Sequence, residues 1–416
     1  MFERQDLQGR RIVLGLSGGI ACYKSAELVR LLTRHGAEVR VVMTEAAEAF
    51  ITAVTLQALS GQPVTTSQWD AREPNNMAHI NLGRWAQAIL IAPSSADLMA
   101  QLAQGRAGDL LSLLCLARPR ESCDLLLAPA MNREMWSHPA TQRNADQLRF
   151  DGCTLLGPGH GDQACGEFGD GRMLEAADLL DEVIAHFQPK VLKGQRVLIT
   201  AGPTFEPIDP VRGITNHSSG KMGFAMARAA AEAGAEVTLV AGPVHLPTPR
   251  GAKRINVMTA LQMHGAVLPL APQHDVFVAT AAVADWRPAT LNEHKIKKEG
   301  KKAAPTFELT ENPDILAAVA GLPQPPYCVG FAAESEHLLM HARAKLLRKK
   351  LPLMVGNLGP ATFGKDDNAL LVIDEKEHYA LPADGGSADK LSLARELMQD
   401  IARRLAHRTD PTAPHR

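Results

Sequence analysis

Apolar runs of strand length alternate with helix-length segments along nearly the whole chain, and this alternation limits the fold more than any other feature. The runs are RIVLGL (11–16), EVRVVMT (38–44), AILIAP (88–93) and DLLLAPA (124–130), then RVLITAG (196–202), EVTLVAG (236–242), DVFVATAAV (275–283), YCVGFAA (327–333) and ALLVID (369–374). Such a β-α-β rhythm predicts parallel sheets covered by helices on both faces. At 416 residues the chain is too long for one ordinary core, so two domains are expected. An internal echo agrees. HGAEVRVV (35–42) and AGAEVTLV (233–240) each set a helix-stopping Gly before a β-branched strand.

The fold class is therefore α/β, with two tandem Rossmann-like units, each with a mainly parallel sheet. Their expected bounds are 1–189 and 190–408, joined near FQPKVLKGQ (187–195). KLSLARELMQDIARRLAHR (390–408) is an amphipathic helix by its apolar spacing, and 409–416 are expected to be a disordered tail. A formal net charge of -1 gives no reason to expect nucleic acid or an anionic membrane as partner. MFERQDLQGRR lacks the apolar run of a signal peptide, and no stretch approaches the roughly 20 apolar residues of a membrane span. A cytoplasmic protein is expected. Its six cysteines (Cys22, Cys115, Cys123, Cys153, Cys165 and Cys328) have no zinc spacing and are expected as thiols.

In the first half, Ser17, Gly18 and Gly19 lie where the first strand gives way to a helix. Glycine lets backbone approach a ligand, and a helix N-terminus favours phosphate. Thr44, Pro93, Ser94 and Ser95 end later strands, where open α/β sheets bind ligands; helix capping is the alternative use of these hydroxyls. His79 sits in NNMAHINLGRW (75–85), Asn132 in APAMNREMW (128–136) and Cys165 in GDQACGEFGDGRM (161–173). The glycine density around Cys165 suggests a long irregular loop, either lid or linker.

In the second half, TAGPTFEPIDPVRGITNHSSGKMGFAMA (200–227) runs from a strand through a Gly/Pro loop into a helix. SSGK (218–221) fails as a P-loop, since six residues rather than four separate Gly213 from Gly220 and Met222 replaces the Mg2+-binding hydroxyl. ATAAVADWRP (279–288), the lysine-rich HKIKKEGKK (294–302), ENPDIL (311–316) and GFAAE (330–334) follow. Lys345 and Lys349 are one helical turn apart.

These motifs resemble the bifunctional phosphopantothenoylcysteine decarboxylase/phosphopantothenate–cysteine ligase family over roughly residues 9 to 407. PAMNxxMW and GxxACGxxGxGRM are those of flavin-dependent cysteine decarboxylases with a flavodoxin-like fold. The resemblance implies FMN, catalytic roles for His79, Asn132 and Cys165, a part for Met131, and a clamp-like loop around the cysteine. The chemistry suits these residue types. Losing CO2 from a C-terminal cysteine needs an electron sink, which a flavin supplies by oxidising the thiol-bearing side. An amide can hold the carboxylate, and a free thiol, protonated at neutral pH, can return a proton. The segment PSSAD (93–97) departs from the usual PATAN, and Cys22 stands where Ala is usual.

DPVRxITNHSSGxMG, AAVxDW, KxKK and NPDIL resemble the ligase part, with Gly213 where a larger residue is usual. This implies CTP contacts from Ala282, Asp285, Lys295, Asn312, Pro313, Asp314, Ile315, Phe331, Lys345 and Lys349. Arg212 and Asn216 would handle the acyl intermediate. Mg2+ is expected as a second cofactor, held largely by the nucleotide. The substrates would be 4'-phosphopantothenate, cysteine, CTP and 4'-phosphopantothenoylcysteine. The family also implies homo-oligomers: decarboxylase trimers, often in dodecamers, and ligase dimers. A flavin-dependent peptidyl-cysteine decarboxylase, or a ligase carrying an inert flavodoxin-like scaffold, are the alternatives.

Overall fold

The computed structural model describes residues 5–70, 72, 75–297, 306–334, 336–358 and 364–409. Residues 298–302 of the lysine-rich segment and 410–416 of the expected tail lie outside the described residues. The chain divides into two compact units, Met1–Phe187 and Gln188–Arg416. Among the described residues no helix is long and apolar enough to cross a membrane.

The first unit carries a five-stranded parallel sheet in the order Glu38–Met43, Arg11–Leu16, Ala88–Ser94, Asp124–Pro129, Thr154–Leu155. Side chains alternate across a strand. Ile12, Leu14 and Leu16 enter a core cluster with Leu28 and Leu32 of the helix Cys22–Arg34 and Leu179 and Val183 of the helix Ala176–Phe187. Val13 enters a second cluster with Leu82 of Ala78–Trp85 and Leu111 and Leu114 of Leu110–Ala117. Burial on both faces is why RIVLGL is continuously apolar.

The second unit carries eight strands in the order Ala252–Asn256, Glu236–Ala241, Arg196–Ala201, Val276–Ala279, Tyr327–Glu334, Leu353–Leu358, Leu370–Ile373, His378–Leu381. The first six are parallel and the last two antiparallel. ALLVID, expected in the parallel rhythm, is thus antiparallel. The connection 359–369 falls short of the dozen or more residues a parallel crossover needs. DVFVATAAV was expected as a strand to 283, but sheet pairing with its neighbours ends at Ala279.

The two units begin alike, beyond the echo read from sequence. Leu7 donates its backbone N–H to His35 O at 2.9 Å, and Leu192 donates to Ala233 O at 2.9 Å; both leucines are fully buried. Gly36 and Gly234, with φ of 88° and 90°, end the helix in the left-handed conformation. Leu192, inside the segment read as the junction, thus belongs to the second core.

The C-terminal helix Lys390–Thr409 buries Leu391, Leu393, Ala394, Leu397, Met398 and Ile401 in the cluster that holds Phe224 and Ala227 of the helix Lys221–Glu232. Arg395 Nε donates to the buried Glu232 Oε2 at 2.6 Å. Further along, Arg404 bridges Asp400 and Asp374 at 2.7 Å each.

Candidate active sites

In each sheet the chain leaves the first strand toward one edge and later returns to its other side. Such a reversal opens a crevice at the strands' carboxyl ends. In the first unit it lies between Arg11–Leu16 and Ala88–Ser94. Ser17 joins the two ends: its N–H and hydroxyl donate to Pro93 O at 3.2 and 2.9 Å, and its Oγ accepts from Ser95 N at 2.8 Å. Thr44 and Ser95 are helix caps, accepting from Ala47 N at 3.3 Å and Leu98 N at 3.2 Å. Ser94 differs from both. Its hydroxyl is buried without a partner among the described residues.

Gly18 was expected to admit a ligand, but a Cβ there would stand 2.7 Å from the Ala46 Cβ. Its bareness serves the approach of the segment after the second strand. Gly19 is the open position, with nothing within 4 Å of a Cβ.

The expected irregular loop around Cys165 is instead an antiparallel hairpin, Gly159–Asp162 with Phe168–Arg172. Its glycines let it lie flat on the turn at Met131 and Asn132. Met131 N donates to Gly171 O at 2.9 Å, and Arg133 N to Gln163 Oε1 at 3.0 Å. Asn132 caps the helix Arg133–Ser137 through Oδ1, which accepts from Glu134 N at 2.8 Å. That fixes its NH2 toward the hairpin, where Nδ2 lies 3.5 Å from Cys165 Sγ and donates to Glu167 Oε2. Cys165 is exposed while the other five cysteines are buried. Burial pushes Cys123 up to about 11 and Cys328 to about 12, in line with inert core thiols.

His79 lies on Ala78–Trp85, half-buried. Its Nδ1 is buried without a partner among the described residues. The structure thus joins Asn132 to Cys165 by direct contact, whereas no hydrogen bond among the described residues links either to His79.

In the second unit the reversal lies between Arg196–Ala201 and Val276–Ala279. A cleft of about 490 Å³ opens there, lined by Asn216, Ala282, Asp285, Asn312, Pro313, Asp314, Ile315, Phe331, Lys345 and Lys349 among others. The segment after Ala279 forms one wall. Asn312 N donates to Asp285 O at 2.8 Å and Asn312 Nδ2 to Ala284 O at 2.9 Å, which fastens ENPDIL to that wall. Lys345 pairs with Glu334 at 2.7 Å, and Lys349 with Asp314 at 2.7 Å. Burial raises the Asp314 carboxyl, but the Lys349 ammonium and the Ala317 N–H together hold it below the usual range.

Arg212 and Lys295 do not line this cleft. Asp209, 1% exposed, accepts from Val211 N at 2.8 Å, Arg212 N at 2.9 Å, Arg212 Nε at 3.0 Å and Ile296 N at 3.1 Å. Arg212 also donates to Ile296 O at 2.8 Å. The guanidinium holds the Asp209 carboxyl well below the ordinary carboxylate range. Arg212 and Asp209 therefore clamp the backbone next to Lys295, which is itself exposed. Gly213 is explained by Phe205: a Cβ at 213 would stand 2.4 Å from the Phe205 ring.

Sequence reasoning missed Thr200, Lys221, Thr280, Asn357, Asn368 and Lys390, which also line the cleft. Lys221 lay within SSGK and was legible there. Lys390 and Asn368 come from far along the chain and carry no local signal. Burial first, then the charge of Lys221, hold the Lys390 ammonium below its usual range.

Among known proteins, the Flavoprotein family profile matches residues 2–188. That of the DNA/pantothenate metabolism flavoprotein C-terminal domain matches 192–405. The coenzyme A biosynthesis bifunctional protein CoaBC of Vibrio cholerae is 51% identical over 382 residues, covering 91% of this chain and 95% of its own. Its counterpart in Escherichia coli K12 is 50% identical over 383 residues, covering 91% and 94%. The crystal structure of a CoaBC C-terminal domain is 35% identical, covering 52% of this chain and 98% of its own, with a TM-score of 0.42. The chain belongs to the family of bifunctional coenzyme A biosynthesis proteins CoaBC, enzymes that join a decarboxylase to a ligase.

Proposed function

We propose that the second unit condenses 4'-phosphopantothenate with cysteine at the expense of CTP, and that the first unit decarboxylates the 4'-phosphopantothenoylcysteine so formed to 4'-phosphopantetheine. The observation that carries this reading is the pairing of an amide donor, Asn132 Nδ2, with an exposed thiol, Cys165 Sγ, at 3.5 Å. A hydrogen-bond donor to the carboxylate and a proton donor to carbon are what a C-terminal cysteine needs on either side of CO2 loss.

A flavin suits the first crevice, because the buried Ser94 hydroxyl lacks a partner among the described residues and the Gly19 turn is open. Ser17, Gly19, Ser94 and Ser95 would hold it, with Thr44 nearby. FMN, when bound, supplies a two-electron acceptor for the thiol-bearing carbon of the substrate and gives the electrons back. Asn132 holds the substrate carboxylate until it leaves as CO2. Cys165 then delivers its S–H proton to carbon. His79, whose Nδ1 has no protein partner among the described residues, orients the reacting group or takes up a proton.

In the second unit the lysines and the amide of the cleft suit a carboxylate attacking a triphosphate. An oxygen of 4'-phosphopantothenate bonds to the α-phosphorus and pyrophosphate leaves. The amine of cysteine then attacks the acyl carbon, loses its proton and expels CMP. Lys345 and Lys349 take the nucleotide, with Asp285, Phe331 and the ENPDIL turn around it. Lys295, carried on the segment beyond the Asp209–Arg212 clamp, would offset the gathering negative charge, and Mg2+ brought in with the triphosphate would add to that effect. Asn216 donates to the acyl oxygen.

We place both reactions in the cytoplasm, in a homo-oligomer. The deciding experiment supplies purified protein with 4'-phosphopantothenate, cysteine, Mg2+ and each nucleoside triphosphate in turn. Pyrophosphate and CO2 should appear in equal amounts, fastest with CTP, from a protein with a flavin spectrum. Pyrophosphate without CO2, or a colourless active protein, would refute the first-unit assignment.

A further inference from the structure

The Asn132 amide, assigned above to the substrate carboxylate, already holds a carboxylate. Nδ2 donates to Oε2 of Glu167, and that oxygen lies 3.8 Å from Cys165 Sγ. An amide nitrogen has two N–H bonds. One meets Glu167 and the other faces the sulfur at 3.5 Å. Oδ1 is fully engaged as a helix cap, accepting from Glu134 N at 2.8 Å and Met135 N at 3.4 Å, so the amide cannot turn over. Glu167 is held there by the hairpin tip. Gln163 N donates to Glu167 O at 2.8 Å and Gly166 N to Gln163 O at 2.9 Å. The Gln163 side chain ties the tip down, accepting from Arg133 N at 3.0 Å and donating to Asp170 O at 3.0 Å.

We propose that Glu167 is a stand-in for the substrate carboxylate: it occupies the Asn132 amide in the free protein, yields it to a carboxylate-bearing thiol, and reclaims it once CO2 has left. The proposal rests on the reading of Asn132 as the carboxylate site. Exchange of one carboxylate for another leaves the half-buried Asn132 amide paired at either stage. A substrate with a C-terminal cysteine can displace Glu167. The decarboxylated product has nothing with which to compete, so Glu167 favours its departure. Glu167 is thus a positioning residue that sorts thiols by whether they carry a carboxylate.

The test uses the full-length holoenzyme without substrate. Cys165 is exposed and the other cysteines are buried, so alkylation followed by peptide mass at this residue reports on the site. Iodoacetate carries a carboxylate and iodoacetamide does not. The ratio of their rates cancels changes in thiol reactivity and hairpin mobility. Removing one charge about 4 Å away should favour the anionic reagent roughly fivefold even at the dielectric of water. Glu167→Gln should therefore raise the ratio about fivefold. Glu167→Ala should raise it further, because the amide is then vacant, and adding Asn132→Ala should remove that excess. A ratio unmoved in both Glu167 variants overturns the proposal, as does an excess that survives Asn132→Ala. The reading of Asn132 itself fails on a different result: Asn132→Ala leaving the KM for 4'-phosphopantothenoylcysteine unchanged.

Discussion

Gly171→Ala should disable the decarboxylase without unfolding the unit that carries it. A Cβ at this position would stand 2.5 Å from Met131 O, 3.1 Å from Gln163 Nε2 and 3.3 Å from Asn132 O. The backbone φ is 126°, a region L side chains rarely adopt. The unfavourable conformation costs about 1–3 kcal/mol, and forcing a methyl into filled space costs about 1–3 kcal/mol more. Two neutral hydrogen bonds dock the hairpin here, Met131 N to Gly171 O and Arg133 N to Gln163 Oε1, each contributing about 0.5–1.5 kcal/mol net. Two with a charged partner, Asn132 Nδ2 to Glu167 Oε2 and Arg133 Nη1 to Phe168 O, contribute about 1.5–3 kcal/mol each. The strain is comparable with this docking, so the hairpin should be loosened and lift away while the five-stranded sheet, whose clusters it does not build, stays folded. Cys165 would then leave Asn132. A misplacement of about 1 Å can cost 10²-fold in rate. Hydrogen exchange should show residues 159–172 deprotected and the sheet unchanged. CO2 release should fall roughly 10²-fold or more, with pyrophosphate release intact. A protected hairpin with wild-type CO2 release would refute the reasoning.

Cys165→Ser should release CO2 at most once per chain and accumulate an oxidised aminoenethiol, detectable by mass spectrometry, because the proton return is lost; steady turnover would contradict the thiol's role. In the ligase, Lys295→Gln should suppress pyrophosphate formation by roughly 10²- to 10³-fold, whereas Asn216→Asp should form pyrophosphate once and leave an acyl-cytidylate. Equal behaviour of the two variants would dissolve the division of labour between them. Asp400 is 6% exposed and is bonded by Arg403 and Arg404. Burial raises its carboxyl, but the two guanidiniums hold it below the ordinary range. Its stabilising effect is therefore present above the unfolded-state pKa of about 4 and is lost as pH falls through the lower folded value. Because Arg404 keeps Asp374 as a partner, Asp400→Asn should cost about 1.5–3 kcal/mol at neutral pH, with the gap to wild type closing below about pH 4 in denaturant titrations.

Much of the fold was legible because it is written locally. Strands buried on both faces read as continuous apolar runs, and a glycine after each first helix marks where the backbone must turn left-handed. The hairpin around Cys165 was not legible. Glycine density has the same look in a mobile loop and in a strand pair pressed against another backbone, and only the position of Met131 O tells them apart. ALLVID has the composition of a parallel strand, and it is the shortness of the connection before it that reverses it. Helix caps were ambiguous for a related reason. Thr44, Ser95 and Asn132 each satisfy the first turn of a helix, which a cofactor contact does not exclude, while Ser94, whose hydroxyl is unpaired among the described residues, looks like its neighbour in sequence.

The two crevices also explain which site residues a sequence can reveal. Each crevice is opened by the reversal of strand order, so residues at the carboxyl ends of its two central strands are placed there by topology alone. Ser17, Ser94, Ser95, Asn216 and Ala282 are of this kind, within a few residues of a strand end or its following helix. Others arrive from elsewhere. Lys390 begins the last helix and reaches the second cleft because that helix packs on Lys221–Glu232. Its cleft position follows from Leu391, Leu393 and Leu397, which seat the start of the helix in the core, not from any motif around it. Arg212 is the converse case. Its motif places it beside Asn216, yet the buried Asp209 turns it to the backbone of Ile296 instead. A charged residue beside a site is therefore assigned by its buried counter-charge, and here that assignment makes Arg212 the support of the lysine-bearing segment.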